Sequence, residues 1–287
     1  MSLSGQGLRW DNLFIVNKLF PLAMLTPTLA PLRNPSNPNI AARTVLPIDR
    51  PAARPTPALR QNAHCSSCAM RHLCMPQGLS ADEMPKLEAL ICTAQTVKRG
   101  STLYRSGEAF SNLYAVRSGS LKTVLTHRDG REQVTGIHLA GEALGLDGIS
   151  DDTHTCSAIA LEDSSVCIIP YDALKTLCRE AGSMQHRLHK LMGEQIVRET
   201  SQMMLLGSLN AEERVATFLL DVSERHAKRG YSPSEFHLRM TREEMGSYLG
   251  MTLETVSRML SRFQKRGVIE MEGKLIRISD FTALRNM

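Results

Sequence analysis

The chain has 287 residues, 42% of them hydrophobic and 22% charged, enough for about two globular units at roughly 100 to 200 residues each. Seven of its 34 basic residues but only two of its 29 acidic ones (Asp11 and Asp49) lie in residues 1–60. The net charge of +5 therefore belongs to that segment, the rest carries 27 charges of each sign, and any nucleic-acid affinity must come from a local basic face. Seven cysteines, with three inside ten positions, do not read as the paired framework of a small secreted domain and point to a reducing cytoplasm. No uninterrupted run of 18 apolar residues occurs, so no membrane-spanning helix is expected. Lys18 and Pro21 break the one stretch, Leu13 to Ala30, that resembles a signal-peptide core.

In chain order, residues 1–60 hold nine of the thirteen prolines, all between Pro21 and Pro57. Such a segment lacks backbone donors and buries little, so a disordered tail is expected. Residues 61–80 form a loop carrying Cys65, Cys68 and Cys74 in a C-x2-C-x5-C pattern. Closely spaced thiolates favour a soft metal; spacing alone leaves open a zinc site completed by His64 or His72.

Residues 81–182 alternate short apolar strands (Thr102–Tyr104, Leu113–Val116, Leu121–Leu125, Val134–His138, Ser165–Ile169) with turns at Ser106-Gly107, Ser118-Gly119, Asp129-Gly130 and Ala140-Gly141. Several short strands at this spacing indicate a β-roll or barrel. Residues 183–208 then turn helical. Met192, Ile196, Glu199, Met203 and Leu206 recur at the alternating three- and four-residue spacing of a coiled-coil seam, so a homodimer is expected. Glu199 is either rotated outward into solvent or meets its own copy in that seam, where like charges weaken association and leave it open to switching.

Residues 209–287 carry the sharpest local signals. Thr241 to Glu244 form a capping box, Gly250 breaks the helix behind it, and Thr252 caps a second helix ending at Gly267. On that second helix Val256, Met259, Leu260 and Phe263 share one face, and Glu254, Ser257, Arg258, Ser261 and Lys265 the other. A hairpin wing, Val268–Met271 and Lys274–Ile278, follows. This is a winged helix-turn-helix for double-stranded DNA. Arg258 has the fork to read guanine, Glu254 can accept from a cytosine amino group, and Ser257 can touch a neighbouring base. Arg262, Lys265 and Arg266 suit phosphate. An enzyme is not expected: no H-E-x-x-H, G-x-S-x-G or phosphate loop accompanies the cysteines.

From Cys65 onward the chain resembles the oxygen-responsive fumarate and nitrate reduction branch of the CRP/FNR superfamily. The resemblance is carried by Cys65-x2-Cys68-x5-Cys74, His138-Leu139-Ala140-Gly141, Val166 to Pro170, Asn210 to Arg214 and Glu254 to Arg258. It implies an α+β protein with a cyclic-nucleotide-binding-like β-roll, a long dimerisation helix and a C-terminal winged helix-turn-helix. It implies a [4Fe-4S] cluster on Cys65, Cys68, Cys74 and Cys167, with Cys156 the rival for the fourth place. It further implies dimerisation when oxygen is scarce and binding to a palindrome of the TTGAT-N4-ATCAA type. Contacts to RNA polymerase would come from Arg128 to Arg131 and from the region of Ser118, Asp163 and Arg229. The chain departs from the nucleotide-binding branch in one respect. Gly141-Glu142 is followed by Thr153-His154-Thr155-Cys156, without the arginine that would clamp a phosphate, so no cyclic nucleotide is expected.

Overall fold

The computed structural model describes residues 60–62, 64–74, 80–91 and 93–287. The expected disordered tail, Arg60 apart, and Cys92 lie outside these residues. Strand β1 (Arg60–Asn62) pairs antiparallel with β2 (Thr93–Val97), and helices α1 (Arg71–Cys74) and α2 (Glu83–Leu90) lie between them in sequence. The segment 61–80 is thus not all loop: its first residues extend a sheet edge and its third cysteine ends a helical turn.

The strands β3 (Thr102–Tyr104), β4 (Asn112–Ser118), β5 (Ser120–Thr126), β6 (Glu132–Leu139), β7 (Ala143–Leu144), β8 (Ser157–Ala160) and β9 (Ser164–Pro170) follow. They complete two antiparallel sheets, in the orders β1-β2-β9-β4-β7 and β3-β8-β5-β6. Inward-facing Val97, Val116, Leu144 and Val166 of the first sheet pack with Tyr104, Leu121 and Ala158 of the second, which closes the roll. The turn from β4 into β5 requires glycine: Gly119 has φ +82°, and a Cβ there would lie 2.4 Å from the Ser164 hydroxyl.

Helix α3 (Tyr171–Glu180) leads to the 27-residue α4 (Gly182–Ser208) and then α5 (Ala211–Ala227), which opens with a complete Asn210/Glu213 capping box. Strand β10 (Glu235–His237), helices α6 (Arg242–Leu249) and α7 (Leu253–Lys265), the wing strands β11 (Ile269–Glu272) and β12 (Leu275–Ile278), and α8 (Phe281–Arg285) complete the chain. The wing is a three-stranded sheet, because β10 pairs with β12. Phe218, Met245, Leu260, Phe263 and Ile276 are fully buried where α5, α6, α7 and the wing meet. At about 1.5–3 kcal/mol for each large side chain, this core holds the unit together far more than any surface pair.

The same core continues into the roll. Val124, Val134 and Ile137, on the outer side of β5 and β6, join it. Around this contact Lys122 pairs with Glu244 at 2.7 Å, and the Val134 amide donates to the Ser247 hydroxyl at 2.8 Å. Glu142, in the turn after β6, completes the attachment. Its carboxylate accepts from Arg225 at 2.6 and 3.0 Å, from Arg229, from Arg198 of α4 at 3.3 Å, and from the Leu139 amide at 3.2 Å. Burial pushes the Glu142 pKa up, but Arg225, Arg198 and Arg229 overcome that and hold it down at about 2. Arg229 is itself buried, so it is not part of an exposed polymerase-facing surface as expected from sequence.

Glu142→Gln should cost about 3–5 kcal/mol, because it leaves guanidiniums buried beside a neutral amide. A group with a depressed folded pKa contributes stability above its unfolded value and loses it as pH falls through the folded one. The gap between wild type and Glu142→Gln in denaturant midpoint should therefore be full at pH 7 and narrow as pH falls from 4.5 toward 2. Equal midpoints at pH 7 would show that the network does not carry the attachment.

Candidate functional site

Two regions carry the residues singled out in the sequence. The first lies against the outer face of the first sheet. Along β9 side chains alternate: Val166 points into the roll, whereas Cys167 and Ile169 join the apolar cluster outside it, with Leu87 and Ile91 around α2 and Leu174 and Leu177 of α3. Cys167 is therefore held between Ala94 of β2 and Ala115 of β4 with its thiol directed away from the roll interior. Cys65 and Cys68 sit on a turn closed by the Cys68 amide on the Cys65 carbonyl at 3.2 Å, and Cys74 ends α1.

The structure brings these four cysteines together on the wall of one cavity of about 90 Å³. One water needs only ~10–15 Å³, so the space admits a group of several atoms. Among the described residues no three His, Cys, Asp or Glu side chains converge closely enough for a single metal ion; the thiols ring a volume. His64 is on the same wall. His72 is turned away, its Nε2 3.2 Å from the Lys228 carbonyl.

Burial pushes the Cys65 thiol up to about 11 and the Cys74 thiol up to about 12, with neighbouring cysteines adding to both. Burial also raises Cys167, while Arg117 opposes the rise at Cys65 and Cys167, and Arg187 does so at Cys74. Without a metal these groups are neutral thiols; metal binding would release their protons. All four donors are soft sulfur, the walls include Leu87, Ile91, Leu113 and Leu188, and Arg71, Arg117 and Arg187 border the cavity. That donor set fits an iron–sulfur cluster. Sequence reasoning missed the arginines. Arg187 reaches from α4 to donate to the Cys74 carbonyl at 3.3 Å and to the Leu73 carbonyl.

The other cysteines lie elsewhere. Cys156 belongs to the roll interior, its sulfur 3.4 Å from Asp147, and burial together with that carboxylate pushes it up to about 12. It is on the far side of the sheet from the cavity. Cys178 packs in the core around α2 and α3 but does not line the cavity. The position where a nucleotide phosphate would need an arginine is filled: His154 is buried and stacked on Tyr104 at 3.8 Å, and Asp147 accepts from the Thr155 and Cys156 amides.

The second region is α7. Thr252 accepts from the Thr255 amide, Gly250 takes φ +63° at the end of α6, and a Cβ on Gly246 would lie 2.5 Å from the Met251 carbonyl. Both glycines are needed for the sharp turn between the helices. Val256, Leu260 and Phe263 are buried and Met259 is half-buried, while Glu254, Arg258, Ser261, Arg262 and Lys265 are exposed and Ser257 is half-buried. Ser257, Arg258, Ser261, Arg262, Lys265 and Arg266 line a shallow groove with one residue not singled out from sequence, Glu212.

On α4, Met192, Ile196 and Met203 are 39%, 64% and 67% exposed, a large apolar surface for one helix. It extends to Val197 and Met204, which lie outside the expected seam. Glu199 is exposed and accepts from Gln195 at 2.8 Å. Leu206 departs from the seam: it is half-buried against the C-terminal core and close to Gly250.

Comparison with known proteins follows the same division. Residues 94–181 match a cyclic nucleotide-binding domain and residues 213–287 a Crp-like helix-turn-helix domain. The chain is 43% identical over 234 residues to the transcriptional regulatory protein btr of Bordetella pertussis, covering 82% of this chain and 97% of that protein. It is 41% identical over 224 residues to the fumarate and nitrate reduction regulatory protein of Escherichia coli K12, covering 78% and 90%. The structure of FixK2 from Bradyrhizobium japonicum superposes with a TM-score of 0.63 at 30% identity, covering 67% of this chain and 95% of that one. With its two domains in the same order and relatives matched over nearly their whole length, the chain belongs to the CRP/FNR family, which consists of transcription regulators and not enzymes.

Proposed function

We propose that this chain is an oxygen-responsive transcription regulator of the cytoplasm. A [4Fe-4S] cluster on Cys65, Cys68, Cys74 and Cys167 would promote its homodimerisation and its binding to a TTGAT-N4-ATCAA-type palindrome. The observation that carries this reading is the cavity wall shared by those four cysteines, three from the segment of residues 65–74 and one from the distant strand β9. The relatives named for fumarate and nitrate reduction agree with it. When bound, such a cluster supplies irons that oxygen attacks. The chain's own residues do the rest. Cys65, Cys68 and Cys74 on the loop and Cys167 on β9 would hold the cluster between them and so join loop to strand, and Arg187 ties the Leu73 and Cys74 carbonyls to α4. The exposed Met192, Ile196 and Met203 offer a face to a second copy, and Glu199 sets a repulsion that the dimer must overcome. Two copies of α7 then meet one palindrome.

No cyclic nucleotide is required, since Tyr104 and His154 fill the roll and Glu142 is engaged by three arginines. Exposed Arg128 and Arg131 at the β5–β6 turn, and separately the region of exposed Ser118 and of Asp163, which pairs with Lys98, are the surfaces we assign to RNA polymerase. A zinc site on Cys65, Cys68, Cys74 and His64 is the second reading; His64 lies on the cavity wall, but these side chains would have to draw together to hold one ion.

Ser substitution of Cys65, Cys68, Cys74 or Cys167 should abolish the visible iron–sulfur absorption of anaerobically purified protein, whereas Cys156→Ser and Cys178→Ser retain it. A full cluster in Cys167→Ser, lost in Cys156→Ser, would refute the fourth ligand.

Cluster-free Glu199→Ala should sediment as a dimer and bind DNA in air, where the cluster-free wild type is monomeric. Only monomer in that variant would reject the place of Glu199 in the interface.

Arg258→Ala should lose about 1–3 kcal/mol of discrimination for each guanine-bearing pair read. Lys265→Ala should weaken all sequences alike and flatten the salt dependence by about one for each phosphate it no longer neutralises. Titrations on the palindrome and on a copy with those pairs replaced separate the two roles. An unchanged preference in Arg258→Ala would remove Arg258 as the reader.

A further inference from the structure

The cations of α7 divide into two sets. At 100° per residue, Arg258 and Lys265 lie within about 40° of Glu254 at the front of the helix, while Arg262 and Arg266, one turn apart, lie on its flank. Arg258 and Lys265 make no ion pair among the described residues. Arg262 and Arg266 both end on one carboxylate, that of Glu212 in the first turn of α5, Arg262 at 2.7 Å and Arg266 through its Nη1. The arginines are 57% and 54% exposed and Glu212 23%.

An ion pair this exposed adds little to the stability of a fold. The start of α5 does not depend on it, because Asn210 and Glu213 supply the complete capping box. Yet the carboxylate lines the groove formed with Ser257, Arg258, Ser261 and Lys265, where a negative charge repels an approaching phosphate. Two cations of that groove thus end on an anion that the cap of α5 does not require.

We infer that Glu212 holds Arg262 and Arg266 off the DNA backbone and so sets the sequence-independent part of the affinity. The inference rests on the DNA-binding reading of α7. Each guanidinium kept on Glu212 is one phosphate left unneutralised, and each phosphate neutralised adds about 0.9 to the slope of log affinity against log salt. Base reading by Arg258 is untouched, so Glu212 limits how tightly the protein holds any DNA without changing which sequence it prefers.

The test compares wild type, Glu212→Gln and Glu108→Gln as anaerobically purified full-length protein, titrated over a range of salt on the palindrome and on unrelated duplex. Glu108→Gln makes the same change of net charge in the β-roll, far in sequence from α7. Glu212→Gln should bind both DNAs about 3- to 10-fold more tightly at low salt. Its slope should steepen by about one for each arginine freed; its thermal midpoint should stay at the wild-type value, and its preference between the two DNAs should be unchanged. Affinity and slope equal to those of Glu108→Gln, or binding weaker than wild type, would overturn the inference; the weaker result would mean that Glu212 aims the arginines at phosphate. Wild type that binds neither DNA would refute the underlying reading of α7, a result its own titration gives separately.

Discussion

A single largely buried carboxylate, Glu142, joins three parts of this chain that the sequence keeps far apart. It sits in the turn after β6, and its partners are Arg198 on α4 and Arg225 and Arg229 on α5. A carboxylate alone in such a place would be neutral; three guanidiniums keep it charged, and it in turn neutralises part of their buried charge. Removing any one member would leave buried charge uncompensated, so the network favours the arrangement in which the roll, the long helix and the C-terminal domain all meet Glu142. His138, whose Nδ1 lies 3.1 Å from the carbonyl of Ala143, the residue after Glu142, is kept neutral: burial and the nearby arginines outweigh Glu142 and hold it down at about 4.

The residue before Glu142 carries the cysteine loop. Gly141 lines the cavity and has φ +88°, and a Cβ there would lie 2.8 Å from the Leu73 side chain. Leu73 precedes Cys74, and its carbonyl accepts from Arg187 of α4. A displacement of the loop therefore meets two neighbours at once: the glycine attached to the ion network and the helix that presents the apolar face. No long chain of weak contacts is needed to connect the cysteines with α4 and α5. This makes the proposed switch physically economical, since one loop bears both the ligands and the contact to the parts that respond.

The helix-turn-helix was readable residue by residue because its determinants are local. Caps at Thr241 and Thr252, the αL glycine at position 250 and the apolar stripe of α7 all act within a few residues. The strands Thr102–Tyr104 to Ser165–Ile169 were also legible from alternation and glycine turns. Strands β2 and β8 were not: Thr93–Val97 and Ser157–Ala160 each hold one large apolar residue, Val97 and Ile159, among small or polar ones, and acquire their place from pairing with β9 and β5. At the cavity, the three clustered cysteines were visible, and Cys167 came from the family resemblance. Arg117, Arg187 and Glu212 were invisible because their roles arise from contacts across the fold. Arg229 was misjudged for the same reason: nothing near it in sequence announces that Glu142 will bury it.

The central claim is that the cavity between the cysteine loop and β9 holds an iron–sulfur cluster and not zinc. Mössbauer and visible spectra of anaerobically purified protein, with iron, sulfide and zinc analysis of the same sample, test it most directly. Iron and acid-labile sulfide in equal amounts, a [4Fe-4S] Mössbauer signature and its loss on admitting air are the expected result. Stoichiometric zinc without iron, unchanged by air, would contradict it.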